Sequence, residues 1–198
     1  MPAYHSSLNE EPDVRQIGNM SILPIKTRYR GVAPLADPSQ PDIIDETLDL
    51  FRANSLFRNF EIKGPADRTL IVLILFISDC LAKIGSARST PNKIEATKSL
   101  NTLSVDNFPI PGDANFALNA HYAPPASRAD SGAWHITVEY ASQPSASVSL
   151  EFLRSYLTQV RQELSLRLVN ILYADGDVPS KWWMSFQKRR FMNRSLGA

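Results

Sequence analysis

Cysteine is nearly missing from this chain, with Cys80 the one thiol among 198 residues. An intramolecular disulfide is excluded, and a reducing compartment is the natural setting. Cys80 sits in an apolar run, away from the exposed electropositive surroundings that activate a thiol, so it reads as inert. Glycine is scarce too: eight residues stand singly at turns, and no Gly-rich loop follows a strand to cradle a phosphate. The three histidines, His5, His121 and His135, have no second His or Cys at metal-ligand spacing, which argues against zinc. Net charge is only +1, so a general polyanion binder is not expected. No apolar run is long enough to span a bilayer, and Met1-Pro2-Ala3-Tyr4-His5 lacks the basic-then-apolar order of a secretory signal. A soluble cytosolic protein is the expectation.

What is present is globular: 43% hydrophobic and 21% charged residues over a length suited to a single domain, 1–198. The first forty residues are proline-rich and aperiodic. Their one apolar island is Ile17-Gly18-Asn19-Met20-Ser21-Ile22-Leu23-Pro24-Ile25, and the segment 1–41 reads as an extended arm laid on a surface. Pro24, Pro34, Pro38 and Pro41 each remove a backbone donor, so regular structure is expected to begin after Pro41.

Asp42 is the start signal for a first helix. Ile43, Ile44, Thr47, Leu48, Phe51 and Ser55 follow helical spacing to about Phe57, with Asp42, Asp45, Glu46 and Asp49 early and Arg52 and Arg58 late, the order that opposes the helix dipole. Pro65-Ala66-Asp67-Arg68 opens a second helix. Its stretch Leu70 to Ile77 is apolar on every face, and the pattern resumes at Cys80, Leu81 and Ile84 before Gly85. A buried strand competes for those eight residues, but the helical flanks favour a helix surrounded by other elements. A short third helix can start at Thr90 and Pro91 and run through Ile94 and Leu100, followed by a loop at Asn107 to Gly112.

From Ala123 to Ser149 the chain is dominated by Pro, Ala and Ser. Within it Trp134-His135-Ile136-Thr137-Val138-Glu139-Tyr140 alternates as a half-buried strand would, with a surface loop as the other reading. Leu150, Leu153, Leu157, Val160, Leu164 and Ile171 then form a near-heptad seam that Arg167 interrupts. That seam is expected to pack on the buried second helix rather than on a second copy. Asp175-Gly176-Asp177 ends the helix. The predicted architecture is mainly α: a compact helical bundle around one buried hydrophobic helix, with an extended N-terminal arm and long loops.

The last twenty residues crowd rings and cations together. At about 100° per residue, a helix over 180–194 places Trp182, Phe186 and Trp183 on one side and extends the apolar arc through Met184 and Phe191. Ser180 is its expected cap, and Lys188, Arg189, Arg190 and Arg194 lie where positive charge opposes the dipole. Such a surface is either an anchor for a partner, since Trp and Arg dominate interfaces, or an ordinary terminal helix packed on its own domain. The candidate partner-binding residues are Trp182, Trp183, Phe186, Lys188, Arg189 and Arg190, and the basic cluster leaves a small phosphate or acidic-protein patch open. Catalysis has no comparable seat. A serine nucleophile lacks its elbow, and the acids of the first helix are better explained by capping and solvation than by paired acid-base work. No catalytic, cofactor or metal residues are assigned.

Five strings carry a resemblance: Met1 to Ser7; Ile17-Gly18-Asn19-Met20 with Leu23-Pro24-Ile25; Ala66-Asp67-Arg68-Thr69-Leu70-Ile71; Asn107-Phe108-Pro109-Ile110-Pro111-Gly112; and Pro179-Ser180-Lys181-Trp182-Trp183 with Arg190-Phe191-Met192-Asn193. In this order and spacing, end to end, they resemble the p21-Arc family, subunit 3 of the actin-related protein 2/3 complex, in a fungal-type variant with an insertion at 128–148. The resemblance implies a mainly helical, non-enzymatic subunit of a seven-protein assembly that nucleates actin branches on existing filaments. It implies contacts with the actin-related protein 3 subunit and subunit 2 and a seat at the branch junction, with ATP held by the actin-related subunits and no cofactor here. A cytoplasmic, cytoskeletal location in cortical actin structures follows, with neither nucleic acid nor membrane insertion. The insertion is expected to be a surface excursion, which costs little stability.

Overall fold

A computed structural model describes residues 3–12, 14–125 and 146–197, and these are mainly helical. Helix α1, Ile43–Asn54, starts where Asp42 caps it: the Asp42 carboxylate accepts from the N–H groups of Ile44 and Asp45, and Asp45 accepts from the Asp42 N–H in return. It stops at Asn54, short of Phe57. Helix α2, Pro65–Gly85, carries Pro in its first turn, where the missing N–H has no helical acceptor to lose. Helix α3, Lys93–Val105, begins later than Thr90 because Asn92 and Glu95 supply a reciprocal capping box. Helix α4, Ala146–Leu172, starts inside the expected 128–148 excursion. Most of that excursion, including the Trp134 to Tyr140 segment, lies outside the described residues.

Every residue from Thr69 to Ser78 is buried, so α2 is the central rod. Around it pack α1, α3, α4 and pieces of both termini. The α4 seam is buried at Leu153, Leu157, Val160 and Leu164, but beyond Arg167 it passes to Leu168 and Leu172, leaving Ile171 37% exposed. A straight helix drifts against a strict seven-residue repeat, and here the buried stripe follows the helix.

The arm is not laid on the surface as the sequence suggested; it enters the core. Ile17, Met20, Ile22, Leu23 and Ile25 are buried. Regular structure also precedes Pro41: a 3-10 turn at Ser7–Glu10, and a hairpin of β1, Gln16–Ile17, with β2, Met20–Ser21, antiparallel. Gly18 turns that hairpin at φ +62°, and a Cβ there would stand 2.3 Å from the Ala123 carbonyl oxygen, so glycine alone fits.

Side chains of the helices satisfy the arm's backbone groups. The Tyr156 hydroxyl accepts from the Leu23 N–H and donates to the Leu23 carbonyl, both at 3.0 Å. Gln159 accepts from Ala33 N–H at 2.8 Å and donates to the Tyr29 carbonyl at 2.9 Å, while Thr69 donates to the Ser21 carbonyl at 2.8 Å.

Two ionic clamps complete the frame. Asp67, buried in the first turn of α2, accepts from the backbone N–H groups of Ser6 and Lys63 and from Asn9 Nδ2, with His5 Nδ1 at 2.9 Å. Burial opposes its charge, yet those donors outweigh burial and hold its carboxyl below the ordinary value. Arg167, which looked like a break in the seam, reaches across to the α1 cap. Its Nη1 donates to Asp42 and Asp45 at 2.7 Å each, its Nε to Glu163 at 3.0 Å and its Nη2 to the Lys26 carbonyl. Desolvation disfavours the guanidinium there, but Asp42 and its neighbours outweigh that and keep it charged.

Candidate interaction surface

The chain leaves α4 through Tyr173 and returns over α1. The Ser180 N–H donates to the Leu172 carbonyl at 2.8 Å, and helix α5, Lys181–Met184, follows. The expected helix over 180–194 is therefore corrected to a single turn, and Ser180 makes no side-chain cap. The reason is tertiary. Phe191 must reach the interior against Phe60, ring centroids 5.5 Å apart at 74°, and a continuous helix would carry it past that pocket. The path turns instead through Met192 and Asn193 at φ 52° and 54°, with the Met192 N–H donating to the Phe57 carbonyl at 3.1 Å. Left-handed backbone is costly for Met192 and readily tolerated by Asn193, and burial of Phe191 offsets the cost.

The six candidate residues divide sharply. Trp183 is 8% exposed and lies parallel to Phe51, centroids 5.6 Å apart and planes 8° apart. It packs in the chain's own core, a placement that the sequence left open beside that of a partner anchor. Phe186 is half-buried, edge-on to Phe51 at 6.1 Å. Trp182 is 71% exposed, with the Arg52 guanidinium 5.8 Å from its ring and 6.0 Å from that of Trp183.

Lys188, Arg189 and Arg190 are exposed and, among the described residues, none is ion-paired. They sit past the end of α5, so the helix dipole plays no part in holding them. They occupy a short loop pinned on both sides, by Phe186 before and Phe191 after. Beyond the loop, Asp79 accepts from Ser195 Oγ at 2.7 Å and from the N–H groups of Leu196 and Gly197 at 3.2 Å.

Sequence reasoning missed Asp67, Asp79 and Arg167 as organising residues, because most of their partners lie far away along the chain. The one available signal was Arg167 itself, a cation at an otherwise apolar seam position. As for reactive groups, burial first and the Asp79 charge second push the Cys80 thiol well up. Among the described residues no cluster of three or more His, Cys, Asp or Glu is arranged to hold a metal. No described helix is long and apolar enough to cross a membrane.

The described residues are thus helices packed around a buried rod, with an exposed tryptophan and a tethered cationic loop on the surface. The family model described as "P21-Arc: ARP2/3 complex ARPC3 (21 kDa) subunit" matches residues 1–196, and the chain belongs to that family. It is 52% identical over 197 residues to the actin-related protein 2/3 complex subunit 3 of Schizosaccharomyces pombe, covering 99% of this chain and 100% of the relative. The Saccharomyces cerevisiae protein of the same name is 44% identical over 200 residues, covering 99% and 100%. That of Arabidopsis thaliana is 34% identical over 190 residues, covering 96% and 97%.

Proposed function

We propose that the chain is a non-catalytic structural subunit of the actin-related protein 2/3 complex, supporting nucleation of branched actin filaments on existing filaments through protein contacts. The observation that carries this reading is the end-to-end correspondence: the family model spans 1–196, and relatives bearing the subunit's name align over nearly their whole length. Its place is the cytoplasmic actin cytoskeleton, chiefly cortical structures. Its neighbours are the other subunits, foremost the actin-related protein 3 subunit and subunit 2, with the actin filament at the branch junction. The contact surface is the patch of Trp182, Lys188, Arg189 and Arg190, with Phe186 at its edge and Trp183 supporting it from within. Exposed aromatic and cationic groups beside a rigid core are suited to this role.

Affinity purification of the tagged full chain from its own cells tests the reading. Actin-related proteins should accompany it in fixed stoichiometry, and Lys188→Glu with Arg189→Glu and Arg190→Glu should deplete them without lowering the melting temperature. Elution of the unmutated chain alone, or in company with nucleic acid in a way that falls steeply with salt, would overturn it.

A further inference from the structure

Between α2 and α3 the chain crosses the surface as Ser86-Ala87-Arg88-Ser89-Thr90-Pro91-Asn92, and every residue from Ser86 to Thr90 is exposed. Other exposed hydroxyls are spent within the chain: Ser7 donates to Glu46 at 2.7 Å, Ser39 to Asp37 at 2.8 Å and Ser86 to the Lys83 carbonyl at 3.0 Å. Those of Ser89 and Thr90 make no hydrogen bond among the described residues, and neither do the backbone N–H groups of Arg88, Ser89 and Thr90. Nothing in the fold has to break for this stretch to lie extended in the cleft of another protein. Firm ground follows it: the Tyr173 hydroxyl donates to the Pro91 carbonyl at 2.9 Å, and the Asn92 and Glu95 capping box starts α3.

Two features set Thr90 apart from Ser89. Pro91 follows it, and the pyrrolidine ring disfavours the helical region for Thr90 and leaves no N–H just after the hydroxyl-bearing residue. An enzyme that lodges a ring there has no backbone donor to satisfy, whereas the residue after Ser89 carries one. Cations also flank Thr90, Arg88 two positions before and Lys93 three after, and neither is ion-paired among the described residues. Lys93 is the first residue of α3, where helices fray. An unengaged threonine on extended chain, then a proline, then a cation is the pattern that proline-directed protein kinases select by an apolar step and an acidic subsite.

We propose that Thr90 is a phosphorylation site for a proline-directed serine/threonine kinase. The hydroxyl oxygen attacks the γ-phosphorus of ATP; an O–P bond forms, the bond from that phosphorus to the ADP oxygen breaks, and the hydroxyl proton passes to the kinase's catalytic aspartate. The product carries about −1.5 to −2 charge. It stands two residues before the N-cap of α3, where the helix dipole and Lys93 favour an anion and Glu95 is the one acid of the first turn to oppose it. Segment 83–93 holds Lys83, Arg88 and Lys93 and no carboxylate, so the modification cancels most of its positive charge while the helices stay in place.

The test treats the purified full chain with ATP, magnesium and a proline-directed kinase, and locates phosphoryl groups by peptide mass spectrometry. The chain recovered from its own cells under phosphatase inhibition is mapped in parallel. Phosphate is expected on Thr90 in both. Thr90→Val should abolish it, Ser89→Ala should leave it unchanged, and Pro91→Ala should lower it about 10-fold, the scale of discrimination from one apolar contact. Melting temperatures of the phosphorylated chain and of the three variants should match that of the unmodified protein, which separates loss of the site from loss of the fold. Phosphate on Ser89 in place of Thr90, equal modification of Pro91→Ala, modification of heat-unfolded chain alone, or an unmodified Thr90 in either sample overturns the proposal.

Discussion

Adjacent tryptophans with opposite surroundings should give opposite phenotypes when each is cut to alanine. Trp183, 8% exposed and stacked on Phe51, is a core residue. A tryptophan buries on the order of 200 Å², which at about 25 cal/mol per Å² corresponds to roughly 5 kcal/mol. A denatured chain already shields part of that area, which lowers the figure to about 3–5 kcal/mol, in line with large-to-small core substitutions. For a chain of this size each kcal/mol moves the melting temperature by about 2–4 °C. Trp183→Ala should therefore melt roughly 6–20 °C below the unmutated protein. Trp182, 71% exposed, has little burial to lose, and Trp182→Ala should stay within about 0.5 kcal/mol in stability.

Association should reverse the order of severity for folded protein. If Trp182 is an interface anchor, its truncation costs about 2 kcal/mol or more, close to 30-fold in affinity. Thermal melts of the isolated chain, paired with co-purification at a temperature where both variants are folded, separate the two effects. Equal melting temperatures for the two variants would refute the burial reasoning. Wild-type co-purification by Trp182→Ala would remove Trp182 from the contact surface.

Three further outcomes follow from the clamps and the thiol. Arg167→Met leaves Asp42, whose side chain is fully buried, with uncompensated charge and should cost about 3–5 kcal/mol by urea denaturation; a loss under about 1 kcal/mol would mean that water reaches the site. Asp67 has a lowered carboxyl pKa in the folded chain, so its contribution is complete above the unfolded value near pH 4 and is lost as pH falls through the folded value. Asp67→Asn should accordingly flatten the acid limb of a stability curve below about pH 4, and an unchanged slope would remove Asp67 as its cause. Cys80, wholly buried with its thiol pushed up by burial and by Asp79, should react with an alkylating reagent only as fast as the protein unfolds, whereas rapid labelling in native buffer would contradict the packing of α2.

Much of the fold was legible because its signals are local. Asp42 and Pro65 announce α1 and α2 from within a turn of where they act, and the unbroken apolar run from Leu70 to Ile77 signals burial on all sides, with its helical flanks favouring a helix over a strand. The failures share the opposite property. Arg167 looked like a defect because its partners, Asp42 and Asp45, lie 125 and 122 residues away. The arm looked peripheral because part of its backbone is satisfied by side chains of Tyr156, Gln159 and Thr69, which lie far along the chain and leave no local signal. The terminal helix was overextended because periodicity through Phe191 is real, yet Phe191 meets Phe60 by a left-handed turn and not by continued winding. Of the candidate surface, composition grouped the residues but could not divide them, since Trp182 and Trp183 differ only in what stands across from each.

That division bears on how the patch would bind. Flexible cationic tails lose much of their freedom on docking, about 0.5–1.5 kcal/mol for each rotamer-rich side chain immobilised, on top of ordering the backbone that carries them. Here the backbone cost is met during folding. Trp183 and Phe186 lock the chain against Phe51 on one side of the loop, and Phe191 locks it against Phe60 on the other. Between them Lys188, Arg189 and Arg190 have their main-chain positions set before any partner arrives. The strain at Met192 and Asn193 belongs to the same arrangement, because relaxing it would free Phe191 and with it one of the two tethers. Core residues of the tail thus belong to the proposed contact surface without needing to touch a partner: they hold the loop still, and its exposed cations and Trp182 inherit that rigidity.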